Sequence, residues 1–71
     1  MTLGEAIAYA RDVKGWSLRE LEKRTGISNA VISQIESGRV KDPGFRTVVK
    51  LAKVLGLKLD RLAKCEADRG A

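Results

Sequence analysis

Asn29, Ala30, Ser33 and Gln34 fall within six residues of one another and offer two amides, a hydroxyl and a methyl, with no charge among them. Such side chains do recognition chemistry. Asn and Gln can pair bidentately with adenine, Ser can serve several bases, and an alanine methyl can touch a thymine methyl. The residue types needed for bond-making are missing. Histidine is absent and Cys65 is the single cysteine, so one chain can build no disulfide framework, no Cys/His zinc cluster and no His-based triad. Asp and Glu are scattered without an acid/base pair or a pocket to hold one. The expectation is a protein that is not an enzyme and needs no metal, cofactor or small-molecule substrate.

Next to this uncharged group the charge changes abruptly. Met1 to Glu36 carries five bases and five acids, and Leu59 to Ala71 three of each. Between Ser37 and Lys58 there are six bases (Arg39, Lys41, Arg46, Lys50, Lys53, Lys58) and one acid, Asp42, so the whole net charge of +5 resides there. A localised basic surface suits a polyanion, of which nucleic acid is the commonest. On charge alone an ordinary solvated face fits equally well.

The elements that must position these groups read as helices throughout, because helix punctuation recurs at close intervals and nothing alternates with a period of two. Thr2 and Glu5 form a capping-box pattern, followed by Leu3, Ala6, Ile7, Ala10 and Val13 at helical spacing until Gly15. Ser17 and Glu20 repeat the box, Trp16 and Leu21 stand at hydrophobic-staple spacing, and Gly26 ends a very short second helix. Ser28 caps the third, which runs to about Ser37, with Ile27 and Ile32 as its staple pair. Gly38 closes it, and Asp42-Pro43-Gly44 marks a loop. A fourth helix carries Phe45, Val48, Val49, Ala52 and Leu55 as its apolar stripe and stops at Gly56; Leu57, Leu59 and Leu62 mark a last short one.

Two capped helices separated by the tight glycine turn Thr25-Gly26-Ile27-Ser28 must cross steeply, which is helix-turn-helix geometry. At about 100° per residue, Val31, Ile32 and Ile35 cluster on one side of the second of them, with Ala30, Ser33 and Ser37 opposite and Asn29 and Gln34 on the flanks. Exposed helix faces usually favour Glu and Lys. Their absence tilts this face toward base readout over mere solubility.

Leu18-Arg19-Glu20-Leu21 through Gly26, then Ile27-Ser28-Asn29-Ala30-Val31-Ile32-Ser33-Gln34-Ile35-Glu36-Ser37-Gly38-Arg39, resembles the Xre/Cro-type helix-turn-helix family that includes the lambdoid phage repressors. The likeness extends from Leu3 to the Leu55–Leu62 stretch and covers nearly the whole chain. It implies an all-α fold, a compact five-helix bundle occupying residues 1–65 with a frayed tail over 66–71. It also implies a sequence-specific regulator of transcription, a repressor acting as a homodimer on palindromic double-stranded DNA without cofactor. Carried over by position, the base-reading residues are Asn29, Ala30, Ser33 and Gln34. Those gripping phosphate are Ser17, Leu18, Ser28, Ser37, Arg39, Lys41, Phe45 and Arg46. The family often pairs an arginine of its first helix with a glutamate ending the recognition helix, here Arg11 and Glu36, as a structural ion pair.

Three positions depart from the family pattern. Glu22 stands where alanine is usual, in the crook of the motif, so either its stem fills the gap with the carboxylate at the rim or the crossing shifts. Leu18 replaces a polar side chain that commonly contacts phosphate, leaving backbone N–H groups for that contact. Lys58 stands where the last helix often has a Ser cap.

A domain near 60 residues buries only about 60% of its unfolded surface, which excludes a large enzyme with a deep cleft. No run of roughly 18 apolar residues exists and Met1 to Glu5 lacks the start of a signal peptide, so no membrane association and a cytoplasmic location are expected. Trp16 reads as a core cover, and Cys65 as an inert small hydrophobe or a surface thiol. Leu57, Leu59 and Leu62 serve as core alone or as core plus a dimer seam, with Leu57 and Leu59 the candidate contacts. The alternative function is an antitoxin-like protein that holds a partner protein as well as DNA. It ranks lower because only Cys65 to Ala71 follows the last expected helix.

Overall fold

The computed structural model describes residues 2–58, which carry four α-helices: α1 (Leu3–Val13), α2 (Leu18–Thr25), α3 (Asn29–Glu36) and α4 (Phe45–Leu55). Each of the first three begins where a side-chain oxygen meets an unpartnered N–H. Thr2 and Glu5 close a reciprocal capping box on α1, Ser17 Oγ accepts from Glu20 N–H on α2, and Ser28 Oγ accepts from Ala30 N–H on α3. α4 starts after Gly44 with no side-chain cap. The stops at α2 and α4 are left-handed glycines, Gly26 at φ 77° and Gly56 at φ 72°, each returning its N–H to the last helical turn.

α3 packs between α1 and α2, and α4 closes the other side of both. Their common core is Leu3, Ile7 and Ala10 from α1, Leu21 from α2, Ile32 and Ile35 from α3, and Leu51, Ala52 and Leu55 from α4. Trp16, Leu18, Ile27, Val40, Val48, Val54 and Leu57 pack half-buried around it. Among the described residues no helix is long and apolar enough to cross a membrane.

The expected five-helix count becomes four among the described residues. The fifth helix was expected on Leu57, Leu59 and Leu62; Leu59 and Leu62 lie outside the described residues, as does the 66–71 tail. Leu57 follows Gly56 in the turn, its N–H donating to the Ala52 carbonyl.

Three apolar stripes also shift. In α4, Leu51 is fully buried while Phe45 is 76% exposed; in α1, Val13 is 68% exposed; in α3, Val31 is 39% exposed and lies outside the core that Ile32 and Ile35 enter. Val13 is the last residue of α1 and Phe45 the first of α4.

Candidate nucleic-acid interface

Position within the site begins with the turn between α2 and α3. Thr25 is buried, its hydroxyl donating to the Leu21 carbonyl at 2.8 Å and accepting from Ile27 N–H at 3.1 Å. That single hydroxyl serves both sides of the Gly26 bend, with both its donor and its acceptor engaged. Its role was not apparent from sequence, where a helix-ending Thr has no periodicity of its own.

The far end of α3 is held against α1. Arg11 Nε donates to Glu36 Oε2 at 2.8 Å and Nη2 to Oε1 at 3.0 Å, a bidentate pair, while Nη1 donates to the Trp16 carbonyl at 2.8 Å. The hydrogen bond to Glu36, and then its negative charge, raise the Arg11 pKa above its ordinary value against the opposing effect of burial. The Trp16 ring carries Arg24 over its face at 4.1 Å and Lys14 at 5.2 Å. Arg24 also pairs with Glu20 one turn earlier, at 2.9 Å.

Between these two fixings, α3 presents Ala30, Ser33 and Gln34 as exposed residues, with Asn29 half-buried at its start. Asn29 Nδ2 donates to Glu22 Oε1 at 2.8 Å across the motif. Glu22 is itself half-buried, so its stem occupies the crook while its carboxylate meets a polar partner.

The residues expected to meet phosphate divide into two groups around α3. Phe45 and Arg46 border one open groove with Ile27, immediately before the Ser28 cap, where Lys50 joins them. Lys41 and Ser37 share a cleft with Glu36, Thr2 and Glu5 at the opposite end. Arg39 is exposed in the intervening loop. Cations therefore stand near both ends of an uncharged helix face. Ser17 and Ser28 keep exposed hydroxyls already engaged as caps, and Ser37 Oγ donates to the Gln34 carbonyl. The Leu18 side chain packs on the core, so at that helix start it has only its backbone N–H to offer. Lys50 belongs to the basic segment, and only the fold places it in this groove; Glu22 departs from the family pattern, and only the crossing of α2 and α3 supplies its partner. Leu59 lies outside the described residues.

Comparison with known proteins gives a match of residues 7–62 to the family model described as Helix-turn-helix. Over 58 residues the chain is 33% identical to "Multiprotein-bridging factor 1" of Schizosaccharomyces pombe, covering 82% of this chain and 38% of that protein. It is 36% identical over 55 residues to "Uncharacterized HTH-type transcriptional regulator y4dL" of Sinorhizobium fredii, covering 78% and 28%. With "HTH-type transcriptional regulator SinR" of Bacillus subtilis it shares 30% identity over 60 residues, covering 84% and 54%. The alignments thus span from over a quarter to about half of these relatives' lengths. No solved structure matches the chain.

Proposed function

The chain belongs to the Xre/Cro-type helix-turn-helix family, and from that premise we propose that it binds double-stranded DNA sequence-specifically and regulates transcription as a repressor. The observation that carries this reading is the outer side of α3, exposed and uncharged at Ala30, Ser33 and Gln34, with Arg46 and Lys50 near one end and Lys41 near the other. Asn29, Ala30, Ser33 and Gln34 read base edges in the major groove. Arg39, Lys41 and Arg46, with Ser17, Ser28, Ser37, Phe45 and the backbone at Leu18, meet phosphates, which set register and most of the affinity. The named bacterial relatives, both HTH-type transcriptional regulators, support the regulatory role.

An eight-residue helix spans about 12 Å and reaches only a few base pairs. A homodimer on a palindromic operator supplies the remaining specificity, with recognition helices about 34 to 36 Å apart and half-sites centred roughly 10 base pairs apart. Leu57 and Leu59 are the candidate contacts between subunits. Two leucines bury little area, so assembly through them is coupled to DNA binding.

Selection from a random duplex library tests specificity and palindromy together. An inverted repeat with that spacing is expected, and Asn29→Ala, Ser33→Ala and Gln34→Ala should each relax preference at particular base pairs by about 1 to 3 kcal/mol. Undiminished preference in all three variants moves the reading face elsewhere.

One observation favours a second reading, binding of a protein partner as well as DNA. The exposed Phe45 ring borders a groove with Ile27 and Val49, and the fission-yeast relative is named as a multiprotein-bridging factor. Under the first reading Phe45→Ala weakens DNA binding, whereas under the second it leaves DNA binding intact.

A further inference from the structure

Glu22 lies on α2 and Asn29 opens α3, and their side chains meet across the turn, both half-buried, with Asn29 Nδ2 donating to Glu22 Oε1 at 2.8 Å. A carboxylate can only accept hydrogen bonds, so the amino end of the Asn29 amide makes this contact and its oxygen cannot. The pairing opposes the flip that would exchange the two ends. One amino hydrogen is committed to Glu22. The carbonyl oxygen and the second amino hydrogen remain, and these are the groups with which an asparagine meets the N6 amino group and N7 of adenine. Thymine presents the acceptor O4 in the major groove and guanine the acceptors N7 and O6, so neither gives that oxygen a donor.

From this geometry we infer that Glu22 is a positioning residue for base selection: it holds the Asn29 amide with its oxygen free, and so biases the base contacted there toward adenine. The inference rests on α3 being the reading helix. It also predicts a cost, because a half-buried negative charge beside the reading face repels the phosphates of every duplex equally. Glu22 thus lowers general affinity while raising discrimination at one base pair. A purely structural role would not move these two quantities in opposite directions.

Sequences are selected from a random duplex library with the wild-type chain and with Asn29→Ala, Glu22→Ala and Glu22→Gln. Asn29→Ala marks the base pair that Asn29 reads. At that pair Glu22→Ala should reduce the preference for adenine by about fivefold or more, the lower end of what a good bidentate contact discriminates. Glu22→Gln, whose amide donates as well as accepts, should admit thymine or guanine there. Both Glu22 variants should bind an arbitrary duplex more tightly than the wild type. In the free protein, the Asn29 side-chain amide resonances should move in Glu22→Ala. Unmoved resonances, or a preference at the marked pair that survives both Glu22 variants, overturn the inference and leave DNA recognition by α3 standing. A wild-type chain that enriches no sequence, or an Asn29→Ala profile identical to that of the wild type, overturns the inference together with the readout on which it rests.

Discussion

Gly4 of α1 lies against the carbonyl oxygen of Ile35, so the backbones of α1 and α3 touch there with no side chain between them. A Cβ at position 4 would collide with that oxygen and come within 2.9 Å of the Glu36 oxygen. Two helical turns further along α1, Arg11 reaches Glu36. A backbone contact and an ion pair therefore fix the same last turn of α3.

Gly4→Ala sets two effects against each other. Alanine gains about 1 kcal/mol in helix propensity, while overpacking against neighbours costs about 1 to 3 kcal/mol. Because the obstructing atoms are backbone oxygens and not a flexible side chain, the collision should win. The expected result is a lower melting temperature, by several degrees at about 4 to 8 °C per kcal/mol in a domain this small. A thermal melt unchanged or raised would show that α1 and α3 separate freely.

Removing either partner of the Arg11–Glu36 pair should destabilise the fold, since the two side chains are only 21% and 12% exposed. An exposed pair would contribute at most about 1 kcal/mol; hydrogen bonds to charged groups in a half-buried site contribute about 1.5 to 3 kcal/mol. A double-mutant cycle with Arg11→Ala and Glu36→Ala under urea should return a coupling energy near the lower part of that range. The raised Arg11 pKa means its contribution is complete below the unfolded value and is lost only as pH rises through the still higher folded one. The coupling should therefore not fade as pH rises from 6 to 9.

Arg39→Ala and Lys41→Ala should each weaken binding to all duplexes alike and reduce the slope of log K against log salt by roughly 0.9 per lost phosphate contact. Titration at several salt concentrations measures this. Unchanged slopes in both variants would take the loop after α3 out of the interface.

The capping box on α1 should be sensitive to acid. Glu5 accepts from Thr2 N–H at 2.8 Å, and this hydrogen bond is the chief cause holding its carboxyl below the ordinary glutamate pKa. A lowered folded pKa gives stability that is complete above the unfolded value, about 4.3, and is lost as pH falls through the folded one. The difference in melting temperature between wild type and Glu5→Ala should shrink below that pH. A difference constant down to pH 2 would assign the stabilisation to something other than the charged carboxylate.

Helix starts were readable in the sequence because a cap is a local event: Thr2, Ser17 and Ser28 each act on an N–H two or three residues away. Stops at Gly26 and Gly56 were readable for the same reason. Periodicity, however, gives an angle around a helix and not a position along it: Phe45 shares the face of buried Ala52 yet is exposed at the first helical position, whereas Leu51, three residues after Val48 and four before Leu55, stands at an angle the pattern does give. The motif placed Asn29 and Glu22 near the same crook, but their bond depends on how α2 and α3 cross, which no spacing within either helix specifies. Gly4 was silent as well. Its contact is with oxygens on a helix some thirty residues away, and a missing side chain leaves no pattern.

The division of labour within α3 bears on how such a protein acquires new targets. Ile32 and Ile35 are fully buried and hold the helix in place, whereas Ala30, Ser33 and Gln34 are exposed, and among the described residues no hydrogen bond is made by the Ser33 or Gln34 side chain. Drift at these three positions is nearly free of folding consequences, since surface substitutions usually stay within about 0.5 kcal/mol. Position 29 evolves under a different constraint. Its amide is tied to α2, so a change there leaves Glu22 without its partner, and the two sites must be rewritten together.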